Sequence, residues 1–141
     1  MDRPDQKIIA FLKKHHVITL STCVDQQPWC SNCFYAFIEE NMTLVFTSDV
    51  ETRHIKEVMQ NNKVAGSVVL ETSIIGKIQG IQFSGELLPS EGDEADHINH
   101  IYLKKFPFAA LMGTTLWKLR IDYAKMTDNR LGFGKKLIWE R

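Results

Sequence analysis

The chain has 141 residues, 44% of them hydrophobic and 24% charged, which suits one globular domain with a buried core. Lys and Arg number 17, as do Asp and Glu, so the formal net charge is zero and the basic excess of a nucleic-acid binder is absent. No apolar run approaches the roughly 20 residues that cross a bilayer, residues 1–7 lack the apolar segment of an export signal, and the three cysteines are expected to stay reduced in the cytoplasm.

Residues 4–14 are predicted as a helix, opened by Pro4 and striped by Ile8, Phe11 and Leu12. The hydrophobic period then falls to two. Residues 17–24 set Ile18, Leu20, Thr22 and Val24 on one side of a strand, with Val17, Thr19, Ser21 and Cys23 on the other. A polar turn over 25–28, ending in Pro28, returns the chain as a second, antiparallel strand over 29–38. Glu39, Glu40 and Asn41 turn it again into a third strand over 42–48, which makes a meander. Residues 48–61 are predicted as a helix, with Ser48 and Glu51 at capping-box spacing, Asp49 as the other candidate cap, and Ile55, Val58 and Met59 as its buried stripe. Strands follow over 63–71 and 80–88, separated by a loop that contains Gly76. Ser90 and Asp93 begin a last helix, which Phe106 and Pro107 stop, and strands at 116–124 and 136–139 complete the chain.

The result is mainly β with flanking helices: six or seven strands in a single domain over 1–141. Consecutive strands without intervening helices exclude a continuous parallel βαβ rhythm, and antiparallel strands in this number close into a barrel or pack as a sandwich. A net charge of zero does little to keep copies of the chain apart.

Three local features resemble the FMN-binding split barrel of the pyridoxamine 5'-phosphate oxidase superfamily. They are Thr-Leu-Ser-Thr-Cys (19–23) with the strand from Trp29 to Tyr35, then Leu-Val-Phe-Thr-Ser (44–48) leading to Thr52, Arg53 and His54, and the strand from Gly80 to Leu87. Within the superfamily the chain is similar, over nearly its whole length, to the UPF0306 group of small bacterial proteins. The resemblance implies an antiparallel split β-barrel, an FMN cofactor, and a homodimer with two equivalent flavin sites at its interface, each chain contributing residues to them. It also implies a flavin-dependent oxidoreductase acting on an unidentified small molecule, with no nucleic acid or membrane as partner. Two other readings stay open on the same fold: a binding protein that has lost the flavin, and a haem-handling relative.

The junction at 47–54 is the candidate phosphate site. A helix start presents unpaired N–H groups and the positive end of a dipole. Thr47 and Ser48 add hydroxyls, and Arg53 adds a planar cation. Asp49 and Glu51 lie in the same turn, so the residues alone also allow Ser48 or Asp49 simply to cap the helix, with Arg53 and His54 on a solvated face. The resemblance adds His54, where family members carry a basic residue, usually lysine. It also places the flavin ring over the second strand at Ser31, Asn32 and Cys33, with Ser31 standing where the oxidases have an arginine. No catalytic residue is assigned, because a flavin carries the redox chemistry itself.

Other constellations are weaker. Cys30 and Cys33 are three apart in a strand and so point to opposite faces, which argues against a dithiol. His97 and His100 share a helical face but lack an evident third ligand, so no metal is assigned. Trp117 and Trp139 could wall a ligand or simply fill the core or an interface.

Overall fold

In the computed structural model, which describes residues 2–113 and 115–141, Asp5 caps the first helix, α1 (Gln6–Lys14), by accepting the Lys7 N–H at 2.8 Å. Ile8, Ile9, Phe11 and Leu12 form its buried stripe, and Lys13 and Lys14 in the last turn complement the helix dipole. Strand β1 (Val17–Val24) alternates as its period-two pattern requires, burying Ile18, Leu20 and Thr22. Asp25 and Gln26 take φ of 51° and 64°, the left-handed pair that suits a two-residue hairpin turn, and β2 (Gln27–Phe34) returns antiparallel with Gln27 opposite Val24. Gln27 and Pro28, expected in the turn, are therefore strand. Pro28 is tolerated because β2 is an edge strand.

The expected strand over 29–38 is divided at Tyr35 into β2 and β3 (Ala36–Ile38). The remaining elements are β4 (Thr43–Ser48), α2 (Arg53–Gln60), β5 (Lys63–Val69), β6 (Gln79–Pro89), α3 (Gly92–Lys105), β7 (Thr115–Asp128) and β8 (Lys136–Glu140). All eight strands join one antiparallel sheet in the order β2-β1-β5-β6-β7-β4-β3, with β8 added to β7. The two ends of that path, β2 and β3, are consecutive in the chain, so the sheet curls into a split half-barrel. The expected three-strand meander holds in its antiparallel pairings, β1 with β2 and β3 with β4, but it is broken at Tyr35: β4 lies between β3 and β7 and is not laddered to β2. The physical reason is Tyr35, fully buried, whose N–H donates to His16 O at 2.9 Å and whose hydroxyl donates to Leu12 O at 2.8 Å. The chain leaves β1 there and crosses to β4.

Helix α2 also starts later than expected. Residues 49–52 form a turn in which Asp49 accepts the Glu51 N–H at 2.8 Å, and the Thr52 hydroxyl donates to Asp49 O at 2.7 Å. Neither Ser48 nor Asp49 caps the helix. The cap position is Thr52, whose side chain makes no capping bond. Leu20, Leu44, Phe46, Ile81, Phe83, Trp117, Leu119 and Ile121 fill the barrel core. Among the described residues, no helix is long and apolar enough to cross a membrane.

Gly85 marks where the β6–β7 register shifts, and a Cβ there would lie 2.0 Å from Arg120 O, a backbone atom that cannot rotate away. Gly76 has open space around it. In urea unfolding, Gly85→Ala should cost about 3 kcal/mol or more. Gly76→Ala should change stability by less than about 1 kcal/mol.

Candidate functional site

The end of β4 and the start of α2 place Ser48 and His54 together. Ser48 is buried, with its hydroxyl 2.6 Å from His54 Nε2, and the Thr52 hydroxyl lies 3.3 Å from the same nitrogen. Burial lowers the His54 pKa from its ordinary 6.5, against a smaller opposing pull from the Glu57 charge. Burial thus favours the neutral imidazole, and the ring is turned into the protein and holds the turn. Thr47 is on the other face of β4, where its hydroxyl meets the Tyr102 hydroxyl of α3 at 3.5 Å. The two hydroxyls of the predicted phosphate site therefore point apart, as period-two geometry requires.

Arg53 faces the other way. Its guanidinium carbon stands 4.0 Å from the centre of the Trp29 ring, and its Nε donates to Glu57 Oε2 at 2.8 Å. Glu57 is buried and its other oxygen accepts the Thr22 hydroxyl at 3.3 Å, which ties α2 to β1. Val24, Glu51, Arg53, Lys56 and Glu57 line an open depression of about 400 Å³. Lys56 pairs with Glu51 at 3.2 Å, but both are well exposed, and such a pair contributes at most about 1 kcal/mol. Lys56 is therefore free to turn to another anion. Thr52 supplies no side-chain cap, so the first-turn N–H groups of α2 are not taken by the N-cap side chain.

On β2 the three predicted contacts are divided between two faces. Ser31 and Cys33 lie opposite the buried Leu20 and Ile18 and so face the barrel interior, while Asn32 lies opposite Thr19 on the outer face and accepts its hydroxyl at 3.0 Å. Ser31 Oγ is the one buried side-chain polar atom without a hydrogen-bond partner among the described residues. Burial pushes the Cys33 thiol up to about 11, so it stays protonated and is a poor nucleophile. Cys30 is exposed on the outer face, opposite Ser21, which agrees with the expected divergence of the two thiols.

The structure thus brings Arg53 to Trp29 and Ser48 to His54, and leaves Thr47 and Asn32 apart from both pairs. His97 and His100 are exposed on α3, and no cluster of three or more metal-binding side chains occurs among the described residues. Trp117 and Trp139 are core residues, donating from Nε1 to Ser48 O at 3.4 Å and Asp2 O at 2.7 Å. Sequence reasoning missed Trp29, Lys56 and Glu57 as members of the site. The spacing of four between Arg53 and Glu57 was a readable signal for their pairing, whereas the stacking on Trp29 depends on how α2 crosses β2. As a donor set, a guanidinium, an ammonium and a helical turn without a side-chain cap fit a phosphate, while Glu51 and Glu57 oppose it.

Comparison with known proteins gives the family and the fold. A sequence model described as Pyridoxamine 5'-phosphate oxidase matches residues 4–126. A UPF0306 protein of Photorhabdus laumondii is 38% identical over 136 residues, 96% of this chain and 95% of that one. A heme binding protein from Mycobacterium smegmatis superposes with a TM-score of 0.80 at 17% identity, over 99% of this chain and 60% of its own. A FAD-binding protein from Mesorhizobium loti does so with a TM-score of 0.70 at 14% identity, over 86% and 91%. At these identities the solved structures share the fold.

The neutral state of His54 has a measurable consequence. With its folded pKa below the unfolded 6.5, the unfolded chain binds more protons in that window, so the His54 contribution is full above 6.5 and is lost as the pH falls through the lowered folded value. Urea unfolding across this range should show a shallower loss of stability for His54→Gln than for the wild type. Parallel curves would remove the buried-imidazole assignment.

Proposed function

The chain belongs to the pyridoxamine 5'-phosphate oxidase family, and on that premise we propose that it binds a flavin nucleotide, FMN, with its phosphate at the start of α2. The observation that carries this reading is Arg53, half-exposed and held over the Trp29 ring beside Lys56 and the uncapped first turn of the helix. Arg53 would grip the phosphate, Lys56 would turn from Glu51 to share its charge, and the N–H groups of the first turn would complete the shell. Ser48, Thr52 and His54 support the turn from inside. The ring is assigned to β2, where Ser31, Asn32 and Cys33 lie along the edge strand and the unpaired backbone edge offers donors and acceptors. Thr47 joins this reading through Tyr102, which ties β4 to α3 rather than to the ligand.

A flavin bound there would supply hydride or electron transfer, with a reduced nicotinamide as one possible donor and a small molecule as acceptor. The reaction assigned is that of an FMN-dependent oxidoreductase. Two copies of the chain pair in this reading, supported by the open edge of β2 and by the exposed apolar side chains Val17 and Phe34 beside it. Three free thiols suit the cytoplasm as its setting.

A second reading, a binding protein without flavin, is favoured by one observation: Glu57 already partners Arg53, and Glu51 brings the formal charge around the depression to zero. The absorption spectrum of the freshly isolated protein and a fluorescence titration with FMN decide between them. The flavin reading expects FMN to bind with quenching, and Arg53→Ala to weaken FMN by about 10- to 100-fold while shifting riboflavin, which lacks the phosphate, by less than about 2-fold. No binding at tens of micromolar would favour the second reading, and equal losses for both ligands would remove the phosphate role of Arg53.

A further inference from the structure

Arginine has five N–H donors in a rigid fork, and in this protein the fork is held in two places. Its Nε is fixed by Glu57 at 2.8 Å, and its guanidinium carbon lies over the Trp29 ring, 4.0 Å from the ring centre. Glu57 is itself fixed: its side chain is only 10% exposed, against 51% for Arg53, and its second oxygen takes the Thr22 hydroxyl. The buried carboxylate is thus anchored to β1, and the exposed guanidinium is anchored to the carboxylate. The two terminal amino groups of Arg53 have no partner among the described residues, and they belong to a side chain that lines the depression.

Resting on the flavin-nucleotide reading, we infer that Glu57 is a positioning residue that acts through Arg53: with Trp29, it pre-sets the guanidinium plane so that the terminal amino groups meet the phosphate of the flavin nucleotide. An arginine free to rotate loses side-chain entropy when it is immobilised, and a fork already held by Nε over a ring has lost much of it before the ligand arrives. The carboxylate charge works against a phosphate at the same time. The net effect of Glu57 is the difference between its orienting bond and its repulsion, and the two are separable, because glutamine keeps the acceptor oxygen and removes the charge.

Calorimetric titration of FMN and riboflavin into the wild type, Glu57→Ala, Glu57→Gln, Arg53→Ala and the Arg53→Ala/Glu57→Ala double variant tests this. Glu57→Ala should raise the FMN Kd about 5- to 10-fold and move riboflavin by less than about 2-fold. Glu57→Gln should bind FMN at least as tightly as the wild type, and Glu57→Ala should add nothing in the Arg53→Ala background. Trp29 lies at an exposed strand edge, so Trp29→Leu tests the same device with little risk to folding: it should lose FMN selectively, with Trp29→Phe restoring part of the loss. Unchanged or tighter FMN binding by Glu57→Ala would make Glu57 a competitor for Arg53 and overturn the inference while leaving the flavin reading intact. Equal losses for FMN and riboflavin would reduce Glu57 to a structural role. A wild type that binds neither ligand would overturn the flavin reading itself, and this inference with it.

Discussion

Because β2 and β3 are one continuous segment that pairs with opposite ends of the sheet, the barrel has its seam at Tyr35, and the seam needs partners for backbone groups that no ladder satisfies. Two side chains, Tyr35 itself and Lys105 of α3, tie the seam to the helices. The Tyr35 hydroxyl reaches Leu12 O in α1, and the Lys105 ammonium at the end of α3 donates to both His15 O and Tyr35 O at 2.8 Å. Burial lowers the Lys105 pKa from its ordinary 10.5, which is the cost of bringing the amine inside, and the Tyr35 ring 4.7 Å away offsets part of that cost. Phe34 and Phe106 close the outer side with ring centres 5.4 Å apart.

The seam fixes the site as well as the barrel. Once Tyr35 is pinned, the position of β2 relative to β4 is set, and the hairpin register with β1 then sets the height of Trp29 opposite Thr22. Thr22 is also the residue that holds Glu57, so the stacking surface and the carboxylate that hold Arg53 are neighbours on one face of one hairpin. Helix α2 is tied down from its other side by the Ser48–His54 contact. The arginine is thus located by contacts to β1 and β2 on one side of α2 and by a buried imidazole on the other.

Much of this fold was legible because its period was legible. The alternation in β1, the valine-rich β5 and the long alternating β6 and β7 lie where the pattern placed them, and the superfamily likeness supplied the closure that periodicity cannot. What was not legible depends on long-range contacts. Nothing local distinguishes Tyr35 from its neighbours as a corner, since its helical partners are Leu12, 23 residues away in α1, and Lys105, 70 residues away in α3. The turn over 49–52 has strong capping signals, and Asp49 uses them to cap a turn instead of the helix. Arg53 and His54 are adjacent and were expected to act together, but adjacent helical positions are about 100° apart, so one faces the depression and the other the core. Ser31, Asn32 and Cys33 are consecutive in a strand, and consecutive strand residues cannot share a face.

That last constraint decides what each residue of β2 meets. Ser31 faces inward opposite Leu20, and among the described residues its hydroxyl is buried without a partner. A buried polar atom left unpaired costs about 1–3 kcal/mol, and the register that imposes this cost on Ser31 is the same one that sets Trp29 opposite Thr22, beneath Arg53.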